Sequence, residues 1–202
     1  MIAVGIRQLA PAHQAALLSL GLVAVVGARW AATIGGAAGG LAVGLLFGAA
    51  LLALAALAGR PPIERNLPAA AAIGLAGGLA LVGIALVARL PVVSSPMPSG
   101  SFAGPAAIFV PWVAITVLVA TAEELVLRGA LFRAFEASAG LTAAVLLTTL
   151  AFALMHVPLY GWHVVPLDLG VGLWLAGLRL LSGGIVAPAV AHMIADLVTW
   201  WL

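Results

Sequence analysis

Glu123-Glu124-Leu125-Val126-Leu127-Arg128 is the stretch whose reading decides the fold. It follows a hydrophobic run, Ala106 to Ala122, and the chain stays apolar after it. On insertion scales each such charge costs about 2.5–3.5 kcal/mol at membrane depth. Charges kept at that cost face a cavity, pair with one another and mark function. Two later stretches carry the same signature inside apolar surroundings: Phe152-Ala-Leu-Met-His156 and His192-Met-Ile-Ala-Asp196.

The composition explains why these charges stand out. Of 202 residues, 65% are hydrophobic and only 7% are charged. A soluble domain carries roughly 25% charged residues. So little charge cannot cover a globular surface in water, and the solvent must be lipid. A span needs about 20 residues, which predicts an all-α, polytopic membrane protein of about seven transmembrane helices. The net charge is +2 and all the basic residues are arginines, scattered singly. No basic patch points to nucleic acid. The absence of cysteine excludes disulfides, thiolate metal sites and cysteine catalysis. Met1 to Gly5 lacks a basic start, so the first span is expected to serve as its own insertion signal rather than as a cleaved leader.

Taken in order, Ala15 to Ala28 is the first apolar run, closed by Arg29-Trp30 and short unless Leu9 to Gln14 joins it. Ile34 to Gly59 is the second. Its glycines at 36, 40, 44 and 48 lie along one helix face and allow another helix to approach closely. No strand precedes them, which argues against a dinucleotide-binding loop. Pro68 to Ala88 is the third span, with Gly74 and Gly78 again four apart. Arg89 to Gly104, rich in Ser, Pro and Gly, reads as a loop. It separates three N-terminal helices, 1–104, from the chemistry-bearing part, 105–202, within one membrane domain. The fourth helical segment runs from Pro105 to about Ala137, and Gly140 is the expected turn into a fifth, Leu141 to His156. Val164 to Leu181 is the sixth and Ile185 to Leu202 the seventh, entered through Ser182-Gly-Gly184. With the N-terminus inside, Arg7, Arg60, Arg65, Arg133 and Arg179 fall on the cytoplasmic side and Arg29 and Arg89 outside.

Helical spacing pairs the unusual residues. Adjacent Glu123 and Glu124 point about 100° apart. Glu124 and Arg128, at i and i+4, can form an ion pair, which leaves Glu123 without a local partner. Phe152 with His156, and His192 with Asp196, repeat the i, i+4 spacing. Glu124 and His156 each lie 16 residues from Gly140, or about 24 Å along a helix, so a hairpin there brings them to one depth. His192 is only eight residues past Gly184 and reaches that depth only if its helix starts deeper or tilts. Asp168, near the start of the sixth helix, either caps it or lines a cavity. Arg133 and Glu136 read as an i, i+3 pair, and His13 and His163 lie near interfaces with no assigned role.

Glu-Glu-x-x-x-Arg, Phe-x-x-x-His and His-x-x-x-Asn/Asp on successive hydrophobic helices resemble the CPBP family of intramembrane proteases, also called the ABI or CAAX-protease self-immunity family. It includes type II CAAX prenyl endopeptidases and lysostaphin resistance protein A-like proteins. The resemblance covers about Pro105 to Leu202. It implies that Glu123 with His156 activates the water that attacks the scissile carbonyl. Glu124 and Arg128 would support the site, and Phe152 would pack on His156. His192 and the residue at 196 would bind the developing oxyanion. The family often has Asn at that place, whereas this chain has Asp196, a carboxylate that donates no hydrogen bond unless protonated. Glu123, His156, His192 and Asp196 also make a mixed N/O set for zinc or another divalent metal. The implied partners are the lipid bilayer and a peptide or protein substrate in or at the membrane, in a multi-pass protein of the bacterial plasma membrane. Against this stands a different class: a bacteriocin-immunity scaffold or a proton-coupled transporter, which also keeps buried charges.

Overall fold

The computed structural model describes residues 6–32, 34, 40–87 and 105–201. Helices account for the architecture: α1 (Pro11–Ala32), α2 (Leu41–Leu57), α3 (Leu67–Val87), α4 (Pro105–Glu124), α5 (Phe132–Tyr160), α6 (Val165–Ser182) and α7 (Val186–Val198). No strand occurs among the described residues. Four stretches, Pro11–Ala32, Leu67–Val87, Ile108–Tyr160 and Trp162–Ser182, are long and apolar enough to cross a membrane, and α2 and α7 are shorter apolar helices. The chain is an all-α integral membrane protein.

Several boundaries differ from the sequence reading. The second helix begins at Leu41, not Ile34. Gly40 precedes it in an extended conformation, Gly36 lies outside the described residues, and only Gly44 and Gly48 sit within the helix. The fifth helix runs past Pro158 to Tyr160. A proline so near a helix end loses only one hydrogen bond. The seventh stops at Val198 and passes into a turn. The expected 89–104 loop lies outside the described residues.

Between α4 and α5 the chain does not break. Leu125–Leu131 forms a π-helical turn, closed by Phe132 N–H donating to the Leu127 carbonyl. The break comes at Gly140, at φ 86°, ψ 172°, a backbone conformation open to glycine at little cost. The two arms fold back on each other there. Arg128 and Phe152, each twelve residues from Gly140, meet with the guanidinium 4.9 Å from the ring centroid.

Glycine sets two close helix contacts. A Cβ on Gly44 would stand 2.7 Å from Ile115 and one on Gly48 2.9 Å from Leu118, so α2 packs tightly on α4. A Cβ on Gly74 would stand 2.5 Å from the Ala187 carbonyl and one on Gly78 2.9 Å from that of Ala191, so α3 lies backbone-close to α7.

One end of the bundle is tied by polar contacts. Arg7 Nη2 donates to the Ala56 carbonyl at 3.0 Å. Arg133 donates to the carbonyls of Gly129 at 2.9 Å and Arg60 at 2.8 Å, and no ion pair joins it to Glu136 among the described residues. Ile185 N–H donates to the Pro62 carbonyl at 3.1 Å. Glu64, in the α2–α3 connection, accepts from the Ser182 hydroxyl at 2.8 Å and from the Val186 and Ala187 amides at 3.0 and 3.1 Å. It caps α7 from another part of the chain, satisfying amides that Ile185, at the N-cap, does not. Ile185 also lies near Gly129, since a Cβ there would be 3.8 Å from its side chain. The seventh helix therefore starts at the level of Gly129, eleven residues short of the Gly140 turn. This deep start brings His192 level with the glutamates.

Candidate active site

The two glutamates meet one imidazole from opposite sides. Glu124 Oε1 accepts from Arg128 Nη1 at 2.8 Å and lies 3.1 Å from His192 Nδ1. Glu123 Oε2 lies 3.7 Å from His192 Nε2. The 100° between adjacent helix positions is what lets them address the two nitrogens of one ring. Asp196 Oδ2 lies 3.5 Å from the same Nε2. Glu124 and Arg128 are fully buried, and Glu123 and His192 are each 3% exposed. The buried guanidinium also donates from Nη2 to the Gly172 carbonyl at 3.1 Å, tying α6 to the motif helix.

Phe152 fills the space between the three motifs. Its ring stands 4.8 Å from that of His156 and 5.4 Å from that of His192, edge-on to both, with Arg128 against its face. An aromatic edge is electropositive and its face electronegative, so guanidinium-on-face and ring-on-edge are each complementary.

His156 does not join the glutamates directly. Its Nδ1 lies 2.8 Å from the Phe152 carbonyl and 3.6 Å from Asp168 Oδ2. Its ring stacks 5.9 Å from Tyr160. Of the two readings open for Asp168, it lines the cavity; it lies in the first turn of α6, but the N-cap is Val164 and no side-chain cap hydrogen bond is made there. With a carbonyl and a carboxylate at Nδ1, a proton on that nitrogen leaves Nε2 as the basic atom.

His156, Asp168, His192 and Asp196 line one cavity of about 680 Å³. Its remaining wall is mostly apolar and includes Leu81, Val82 and Ala85 of α3 and Trp174 of α6. Trp174 Nε1 donates to the Gly77 carbonyl at 3.2 Å, closing α6 against α3. Glu123 is not part of the lining; it stands behind His192.

The four-residue metal set is not assembled. His156 faces Asp168, and no three His, Asp or Glu side chains form a metal-holding group among the described residues. The side chains present do not fit that set.

Residues 105–198 match the family described as type II CAAX prenyl endopeptidase Rce1-like. This part of the chain is similar to the CAAX-protease family. The match covers just under half of the sequence and contains all three motifs. No curated protein and no solved structure matches the chain. The match supports CAAX-protease-like intramembrane endopeptidase activity in general. The first three helices lie outside the match, yet α3 forms one wall of the cavity.

Two parts of the site carried no readable signal. The π-turn at Leu125–Leu131 leaves no trace in an apolar run containing one glycine. Glu64 reads as an ordinary turn residue, because only the folded chain brings Ser182 and the α7 amides to it. Asp168 had a signal, an acidic residue in apolar surroundings.

Proposed function

We propose that the protein hydrolyses a peptide bond of a membrane-associated peptide or protein, using water activated by Glu123 together with His156. The observation that carries this reading is convergence. Three motifs spread over 74 residues of sequence, from Glu123 to Asp196, come together: the second and third line one cavity, and the first stands behind His192, which contacts both glutamates. A scaffold has no need for that arrangement.

In the proposed reaction Glu123 takes a proton from water and the hydroxide adds to the scissile carbonyl. His192, in its doubly protonated form, keeps Nδ1–H on Glu124 and offers Nε2–H to the developing oxyanion. Asp196, 3.5 Å from that same nitrogen, favours the charged imidazolium by its own charge, a use that suits a carboxylate where the family often has Asn. The proton taken up by Glu123 passes to the basic Nε2 of His156; when the tetrahedral species collapses the C–N bond breaks and the amine takes that proton, which returns both groups to their starting forms. Asp168 and the Phe152 carbonyl fix the imidazole for this exchange. Glu124 and Arg128 hold His192 in place and keep the motif helix against α6. The enzyme would act in the plasma membrane of a bacterium.

A prenylated CAAX peptide is the first substrate to try, since the family's description names that chemistry. Purified Glu123→Ala and His156→Ala proteins should each lose turnover of a cleaved peptide while keeping the parent's melting behaviour. Full activity in either variant would remove the proposal.

A further inference from the structure

The cavity lies at the end of the bundle opposite to most of the arginines. We infer that the site is entered from the non-cytoplasmic side, so that its substrate is a peptide presented at the outer face of the membrane rather than a cytoplasmic C-terminus. This rests on the hydrolytic reading above for the word substrate, but the sidedness stands on the fold and the charges alone.

The fold sorts the arginines by end. Arg7 and Arg133 both hold carbonyls at or just beyond the α2 C-terminus. Arg60 and Arg65 lie in the same α2–α3 connection, and Arg179 lies in the last turn of α6, beside the start of α7. These five occupy one end, with Glu64 binding Ser182 among them. Arg128 is buried inside the bundle. Of the arginines among the described residues only Arg29, in the last turn of α1, is left for the other end; Arg89 lies outside the described residues. Short connections rich in arginine stay in the cytoplasm, and acidic residues count little in that rule.

The cavity belongs to the Arg29 end. From Phe152 and His192 it runs towards Tyr160 at the end of α5, exposed His163 before α6 and Thr199 after α7. Tryptophans gather there too. Trp162 is 73% exposed, and Trp200 stands 4.8 Å from Trp112 and 5.1 Å from Phe109. Aromatic residues of this kind sit at a membrane–water interface, so the cavity reaches the surface at headgroup level. At the five-arginine end, among the described residues, there is a pocket of about 180 Å³ that shares no lining residue with the site.

The chain has no cysteine, so a single introduced thiol reports one position. Trp162→Cys marks the cavity end, and Ile63→Cys, at a position 59% exposed, marks the other. Each full-length variant is expressed in bacteria and treated with a membrane-impermeant maleimide, before and after permeabilisation. The expected result is labelling of Trp162→Cys in intact cells, with Ile63→Cys labelled only after permeabilisation. The reverse pattern, or labelling of both in intact cells, overturns the inference. A variant that stays unlabelled even after permeabilisation is replaced by Trp201→Cys at the cavity end or Asn66→Cys at the other, both exposed. No turnover is measured, so loss of the hydrolytic reading and loss of the sidedness are separate results.

Discussion

The stretch from α4 to α7 and the three helices before it use the same apolar alphabet but contribute differently to the site. In α4–α7 the working groups interrupt apolar runs as charges: Glu123, Glu124, Arg128, His156, Asp168, His192 and Asp196. In α1–α3 the contributions are glycines, apolar cavity-wall residues and one carboxylate in a connection. The first kind costs insertion energy and is therefore visible. The second kind costs nothing in isolation and acquires meaning only through contact. Chemistry can thus reside in one half of a membrane protein while the position of that chemistry is set by the other.

The largest effects should fall on turnover, in the second half. Glu123→Gln and His156→Ala should each lower turnover by about 10²–10⁴-fold, the range for a general acid or base, with the melting temperature in detergent unchanged. Next is Arg128→Ala, which takes the guanidinium from buried Glu124 and leaves His192 as its remaining partner. Removing one partner of a buried pair costs about 3–5 kcal/mol, so folded yield and denaturation midpoint should fall sharply, with activity lost as a consequence.

The comparison sharpens in α3, where effects on packing should dominate. Gly78→Val should cost about 1–3 kcal/mol by overpacking against Ala191 and Ile194. Gly83→Ala, where a Cβ meets nothing within 4 Å, should be near neutral. Equal denaturation midpoints for the two would break the claim that this glycine face fixes α7.

The smallest effect concerns Glu64. Burial alone would raise its carboxyl, but donation from the Val186 and Ala187 amides, its own amide and the Ser182 hydroxyl holds it below its ordinary 4.5. A carboxyl lowered in the folded state adds stability above its unfolded value and loses it as pH falls through the lowered one. Glu64→Ala should cost about 0.5–2 kcal/mol, the range for a lost helix cap. The cost should be full at pH 7 and shrink below about pH 4.5. Denaturation midpoints of parent and variant across that range check the sign: a difference that grows on acidification contradicts it.

Most of the helices and all three motifs were legible because both rest on local signals, apolar length and charge within it. The hairpin at Gly140 was legible because a glycine sits midway between two motif residues. The pairing of His156 with Asp168 rather than with a glutamate was not, since equal depth does not fix which faces meet. The deep start of α7 was not legible either. The distance from Gly184 was right, but the connection lies far inside the bundle, tied to Glu64 and Pro62, which stand about 120 residues earlier. The π-turn has no local signature at all.

The central claim is that Glu123 and His156, on different helices and without direct contact, work as one catalytic unit. The most direct test is a double-mutant cycle on turnover, with Glu123→Gln, His156→Ala and the pair compared with the parent on one cleaved peptide. Residues that act as a unit are strongly non-additive. The account predicts that the double variant is no slower than about the worse single one. Losses that multiply, as they do for independent sites, would contradict it.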